Sequence, residues 1–339
     1  MKGTKNRVLS LFALFCLSVV AAPASAGNQQ EFSAWLEEFR SEAEQEGISR
    51  QTLNAALEDL RPLPKVLEFQ RRQPETTLSW EEYRDRMISK DRIRTAHRKM
   101  RNNEDIIREV SREYGVDSSV LVALWAVESD FGRGAGNYSV LQTLATLAYQ
   151  GRRQPFFRRE LLAALTLVDK GWAKPSDLVG SWAGALGVFQ FIPSTARNYA
   201  VDYDGDGRRD VFNNGPDAFA SAANYLKEAK WKSGQSWGAR VEVPADFDKD
   251  LAGRRKPRQI KQWQELGVKG AEGLSCPAAS LIFVGEDEGQ GQAFLVCDNF
   301  NALMRWNNST WFALMIGLLA DRIAEAGGSD QAREVSPAG

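Results

Sequence analysis

Apolar and polar positions alternate with a helical period along most of the chain. Phe32, Trp35, Leu36 and Phe39 fall at i, i+3, i+4 and i+7, which predicts one apolar face of an amphipathic helix. Gly47 ends that helix and Ser49 caps the next, which stops near Pro62 and Pro64. Residues 65–95 are densely charged, with Trp80 and Tyr83 interleaved. A helix is predicted over 102–113, and Asp117 reads as the N-cap of another running from Ser118 to Asp130. Gly132, Gly134 and Gly136 break the pattern, and a further helix covers about 158–170. Residues 176–200 read as a Gly/Ala-rich turn and a short helix opened by Pro193. An Asp/Gly loop follows at 202–214, then a helix from Asp217 to Lys230. From Val241 to Leu274 the pattern turns polar and weakly structured. Leu281 to Val284 and Ala293 to Val296 form a predicted hairpin, and Ser309-Thr310 cap a final helix.

The expected fold is therefore mainly α with a small α+β insertion. The predicted helical core covers about 27–238 and 298–325, with a mixed lobe at about 239–297 and a disordered tail over 326–339. Residues 1–26 read as a secretory signal peptide. Lys2, Lys5 and Arg7 give the positive start, Val8 to Ala22 the apolar run, and Ala24-Ser25-Ala26 the cleavage site. Cys16 lies inside this segment behind the bulky Phe15, which argues against a lipid anchor. The reading is of a protein released into an oxidising compartment, where Cys276 and Cys297 are either a disulfide or two small buried hydrophobes. Trp311 to Ala320 is too short to span a bilayer, which needs about 20 residues.

Charge and composition narrow the chemistry. The 339 residues carry 43 basic and 44 acidic side chains, which argues against a nucleic-acid partner held by phosphate neutralisation. His97 is the only histidine, so multi-histidine zinc sites are excluded and a Ser-His-Asp hydrolase has one candidate base. Catalysis is left to carboxylates, hydroxyls and backbone dipoles. Glu128 stands out, near the end of an almost wholly apolar helix with Leu124, Trp125 and Phe131 at i−4, i−3 and i+3. Burial among apolar groups raises a carboxyl pKa, as a general acid working near neutral pH requires. The alternative is a solvated glutamate where the helix surfaces. The stretch Gly180-Ser-Trp-Ala-Gly-Ala-Leu-Gly-Val-Phe-Gln-Phe-Ile-Pro-Ser is rich in small residues, with Ser181 and Gln190 as neutral hydrogen-bonding groups. It suits either the floor of a sugar cleft or a tightly packed turn.

Asp202, Asp204, Asp206 and Asp210 occupy positions 1, 3, 5 and 9 of an EF-hand-like loop. Gly207 stands at position 6 and Arg208 offers its carbonyl at 7. Position 12 is Asn213, not the bidentate glutamate of that motif, and a solvated turn is the alternative. Gly132-Arg-Gly-Ala-Gly136 follows a helix, the wrong context for a nucleotide loop. Arg254-Arg-Lys-Pro-Arg258 is a basic run able to touch anionic glycan or simply to stay solvated.

Taken together, Val127-Glu-Ser-Asp-Phe-Gly-Arg, the 180–194 segment, Ala223-Asn-Tyr-Leu, Asp202-Tyr-Asp-Gly-Asp-Gly and Arg305-Trp-Asn-Asn-Ser resemble the membrane-bound lytic murein transglycosylase B family over roughly residues 30–325. The resemblance implies a lysozyme-like core with a deep substrate cleft. It implies cleavage of the β-1,4 bond between N-acetylmuramic acid and N-acetylglucosamine, with 1,6-anhydromuramic acid ends and no catalytic cofactor. A hydrolytic muramidase and a non-catalytic glycan-binding scaffold remain the rival readings. Carried over, Glu128 is the sole acid/base, and Ser181 hydrogen-bonds near it and orients the N-acetyl group. Gln190, Tyr225 and Asn307 line the cleft, Arg152 and Arg153 meet substrate carboxylates, and Tyr83 stacks on glycan. Trp306 stands where the family often has tyrosine, keeping a stacking plane but losing a hydroxyl. Asp217 becomes a further ligand beside the Asp loop for a structural calcium ion. The implied partners are peptidoglycan strands and proteins of cell wall synthesis or remodelling, for a periplasmic monomer.

Overall fold

The computed structural model describes residues 24–72, 78–285 and 291–334. The predicted signal segment up to residue 23 and the tip of the predicted hairpin lie outside the described residues, and the first helix begins at Ala24. Helices dominate. The central one, Ser118–Ser129, buries Val120 through Ala126 on every side, as a helix apolar all round its circumference must. The helices Lys90–Asn102, Glu104–Tyr114, Pro216–Glu228 and Thr310–Glu334 pack around it.

The charged stretch after Pro64 resolves into three short helices rather than one interleaved segment: Pro64–Arg72, Trp80–Met87 and Lys90–Asn102. Ser79 and Ser89 accept from the amides of Glu82 and Arg92, and Glu82 returns a bond to the Ser79 amide. These caps start helices that lack a broad apolar face. The helix predicted over 102–113 starts at Glu104, because Asn103 separates it from its predecessor. Val140–Gln150, absent from the periodicity reading, is a buried helix whose small and apolar residues show no polar face. The final helix continues to Glu334, so the predicted tail is helical for most of its length. Once a helix is nucleated, adding residues costs little, and Ala, Glu, Gln and Arg extend it past the two glycines.

The small lobe is a four-stranded antiparallel sheet in the order Gly238–Val241, Gln292–Val296, Ala278–Val284, Arg258–Gln259. Ser280 and Gly238 both register on Val296. Its own core gathers Trp263, Leu281 and Leu295 around a disulfide joining Cys276 to Cys297. The polar segment of the sequence thus supplies the short strand Arg258–Gln259 and the helix Ile260–Glu265. The lobe is fastened to the helical body by Trp237. Its indole N–H donates to both oxygens of Asp321 at 3.1 Å, and its ring lies flat against Gly317.

A methyl group at position 317 would sit 2.3 Å from that ring. Gly317→Ala is expected to lower stability by about 1–3 kcal/mol through overpacking, although alanine favours the helix itself. Urea denaturation checks the sign.

Candidate active site

Glu128 lies in the last turn of Ser118–Ser129, and the chain leaves that helix abruptly. Asp130, Phe131 and Gly132 take φ of 50°, 60° and 90°, three left-handed residues in a row. For the two non-glycine residues this costs about 1–2 kcal/mol each. Local contacts hold the turn. The amides of Asp130 and Phe131 donate to Ala126 and Trp125 carbonyls, and the Phe131 ring stands edge-on to Trp125 at 5.5 Å. The buried Ser129 hydroxyl accepts from the Gly132 amide and donates to the Val188 carbonyl at 2.5 Å, which ties the helix end to the Gly/Ala segment.

That segment folds back on itself. Leu186 and Phe191 exchange backbone bonds, Ser181 donates its amide to the Ala185 carbonyl, and the Ser181 hydroxyl accepts from the Ala185 amide at 3.0 Å. Only glycine fits at 187, where a Cβ would lie 1.8 Å from the Val211 carbonyl oxygen. Gln190, at φ 51°, donates its side-chain amide to Ala135 and Gly187 carbonyls and so pins the two loops together. The far end is anchored by Glu160. This buried carboxylate takes the amide and hydroxyl of Ser194, both at 2.8 Å, at the start of helix Pro193–Tyr199.

Against this frame the Trp306 indole N–H donates to Glu128 Oε1 at 2.6 Å. Burial pushes the Glu128 pKa up to about 7, and the indole bond, which favours the charged form, pulls part of the way back. No second carboxylate contributes to the shift. An indole nitrogen is a donor only, so Oε1 accepts in both protonation states and the acidic proton belongs on Oε2. Oε2 has no hydrogen-bond partner among the described residues and is not fully sealed, so it is the oxygen left free for a reacting group. Trp306, expected to keep a stacking plane and lose a hydroxyl, thus still supplies a donor, its ring nitrogen.

The other predicted residues divide. Tyr225 stands edge-on to Trp306 at 4.9 Å and donates its hydroxyl to the Arg305 carbonyl at 2.6 Å, so it props the indole. Phe191 packs on another side of the indole at 5.2 Å. Tyr83 leans on Trp311, and its phenol pKa rises through burial and the nearby Glu128 charge, so it does share the site. Asn307 is exposed at the C-cap of helix Asp298–Trp306, next to the indole. Ser181 makes no bond to Glu128; its hydroxyl is an acceptor for Ala185. Asp130 turns away into an ion pair with Arg133 at 2.8 Å. Arg152 and Arg153 lie apart. Arg152 lines a cavity of about 490 Å³ with Gln70, Arg71 and Tyr149, while Arg153 covers the Phe156 ring at 4.2 Å. Sequence reasoning missed Ser129, Glu160 and Phe191; of these only Glu160, a carboxylate among Leu and Ala residues, carried a visible signal.

A buried acid, neutral glycine-rich loops and an aromatic wall match a known pattern. The family model described as Transglycosylase SLT domain matches residues 31–321. The chain belongs to this transglycosylase family. It is 30% identical over 292 residues to the membrane-bound lytic murein transglycosylase B of Escherichia coli (strain K12), covering 83% of this chain and 80% of the relative. SltB3 from Pseudomonas aeruginosa in complex with NAG-anhNAM-pentapeptide is 42% identical, with a TM-score of 0.82 over 86% of this chain and 79% of that one. The Escherichia coli lytic transglycosylase SLT35 in complex with calcium is 29% identical, with a TM-score of 0.71 over 88% and 94%. These solved structures share the lysozyme-like, mainly helical fold.

The transglycosylase's Asp loop is organised around a residue outside it. Asp217, buried at the start of its helix, accepts from the amides of Tyr203 at 2.7 Å and Asp210 at 2.8 Å. Oxygens of Asp202, Asp204, Asp206 and Asp217 lie within 4.8 Å of one another. Asp210 is not one of these four; its carboxylate accepts from the Phe212 amide and the Asn213 side chain. The Arg208 side chain leaves the loop to pair with Asp177 at 2.6 Å.

The raised Glu128 pKa is also a stability statement. Its favourable contribution is complete below the unfolded-state value near 4.5 and is lost as pH rises through about 7. Glu128→Gln is therefore expected to match the parent near pH 4 and exceed it above pH 7 by on the order of 3 kcal/mol. Paired denaturation curves at the two pH values measure this.

Proposed function

We propose that the chain is an exported lytic transglycosylase that cuts the β-1,4 bond between N-acetylmuramic acid and N-acetylglucosamine in peptidoglycan. One observation carries the reading: a single carboxyl, desolvated to a pKa near 7, with one oxygen held by Trp306 and the other free. Ordinary glycosidases flank the bond with two carboxylates. Here Glu128 Oε2 gives its proton to the glycosidic oxygen, and the N-acetyl carbonyl of the substrate supports the developing positive charge. The Glu128 carboxylate then takes the proton of the muramic acid C6 hydroxyl. That oxygen attacks C1 and closes a 1,6-anhydro ring, so the acid is regenerated and no water is consumed. The complex of SltB3 with NAG-anhNAM-pentapeptide, a fragment that carries the anhydro end, supports this route over hydrolysis.

Mass spectrometry of digested peptidoglycan tests the reaction. Anhydromuramic ends are expected, and reducing muramic acid ends would favour the hydrolytic reading. Glu128→Gln keeps the shape and the Trp306 bond but removes the proton, and is expected to lower turnover by at least about 1,000-fold. Equal release of soluble muropeptides by parent and variant would overturn the assignment.

The acidic loop fits a calcium ion, because four carboxylates this close repel one another unless a cation neutralises them. Asp202, Asp204, Asp206 and Asp217 would hold it with the Arg208 carbonyl, in a structural role away from Glu128. The calcium complex of SLT35 supports this. Saturating calcium is expected to raise the melting midpoint by a few degrees over a chelated sample, and Asp217→Asn to abolish the difference. The disulfide and the N-terminal signal pattern support action in the periplasm. Among the described residues no helix is long and apolar enough to cross a membrane.

A further inference from the structure

Eight of the residues from 84 to 101 are Lys or Arg and two are acidic, in a chain whose formal net charge is −1. The helix Lys90–Asn102 within that stretch packs on Ser118–Ser129 and Thr310–Glu334, and its Lys90, Arg94 and Arg98 stay exposed. Where it meets the small lobe there is a crevice of about 490 Å³. Arg84, Arg240 and Arg322 stand in the lining, each from a different element, with Asp85 as the one carboxylate. Most of the remaining lining is apolar: Ile88, Ile93, Leu318 and the buried Phe294. A wider cavity of about 910 Å³ shares Arg240 and Gln292 with the crevice and carries Lys269 opposite Glu242. The two run into each other as one groove at the edge strand Gly238–Val241. Helix Trp80–Met87 separates this groove from the acid, since Tyr83 feels the Glu128 charge while Arg84 and Asp85 line the crevice.

Much of the positive charge is available. Arg84 and Arg322 are paired with Asp85 and Glu325 at 2.7 and 3.1 Å, but both acids are well exposed, and ion pairs in water are weak enough to exchange. Lys90, Arg240 and Lys269 have no ion-pair partner among the described residues, and Lys90 lies one turn before Ile93 on the same side of its helix.

We propose that this groove docks an acidic, extended segment of a partner protein, its carboxylates meeting the arginines while one apolar side chain enters the crevice. Charge complementarity selects the occupant. Guanidinium groups hold carboxylates in a fixed bidentate geometry and are enriched where proteins meet. An apolar recess ringed by arginines suits a single anchoring side chain with polar flanks. A glycan strand is disfavoured, because sugars pack on exposed rings. Among the described residues the one ring in either lining, Phe294, is fully buried. A lipid surface is disfavoured as well. Membrane-bound helices push an apolar face outward into the headgroup layer, whereas here the apolar groups are recessed among the arginines.

Fluorescence anisotropy with a labelled twelve-residue peptide of glutamates and aspartates around one central leucine tests this on the full chain. The parent is expected to bind the peptide, with affinity about tenfold lower in Arg240→Glu and severalfold lower in Lys90→Glu. Arg255→Glu makes the same charge change near the opposite edge of the sheet, and is expected to stay within about twofold of the parent. Serine in place of the peptide's leucine is expected to weaken binding severalfold. All three substituted residues are exposed, so melting and muropeptide release are expected to match the parent. Should Arg240→Glu melt early, Lys90→Glu and the serine peptide carry the same comparison. No binding by the parent, or an equal loss in Arg240→Glu and Arg255→Glu, overturns the proposal. So does binding of phosphatidylglycerol vesicles or soluble glycan strands that is tighter than peptide binding and lost in Arg240→Glu. Each of these failures leaves the transglycosylase reading standing, because the readout is binding away from Glu128.

Discussion

The site depends on one carboxyl held out of water by the fold while an indole donates to one of its oxygens. Desolvation alone would drive Glu128 far toward its neutral form, where it would be a ready donor and a poor base. The Trp306 bond favours the ionised form and offsets part of that shift. The balance leaves a group near pH 7, able to give a proton in one step and take one back in the next. Because the indole cannot accept, the same oxygen serves both steps.

Much of the surrounding structure keeps those two residues in register. The end of the mostly apolar helix that carries Glu128 is fixed by Ser129, which bonds across to Val188. Glu160 anchors the opposite end of the same loop through Ser194. Tyr225 and Phe191 fill the sides of the indole, so rotating Trp306 away from Glu128 would open a gap in close packing. The left-handed residues after Glu128 add strain, which suits a site whose geometry is imposed by the whole fold rather than by local preference.

Part of this was legible in the sequence. The apolar neighbours of Glu128 are adjacent in the chain, so its desolvation followed from helical spacing. The small lobe's hairpin followed from its apolar runs, and Asp217 was placed with the acidic loop through family resemblance. The Trp306 contact was not legible, because it spans 178 positions and depends on how two helices meet. Resemblance placed a tryptophan there but not which atom would face the acid. Ser181 was given a bond near the acid, whereas its hydroxyl accepts from the Ala185 amide, since short loops satisfy their own backbone donors first. The helices within 64–102 were hidden by charge. Their signal was the capping pattern of Ser79 with Glu82 rather than an apolar period.

Side-chain carboxyl titration of Glu128 by carbon NMR, in the parent and in Trp306→Phe, addresses the central claim most directly. A parent midpoint near 7 is expected, with the phenylalanine variant displaced to higher pH because the charged form loses its donor. A parent midpoint close to 4.5, or an identical curve in the two proteins, would contradict the account.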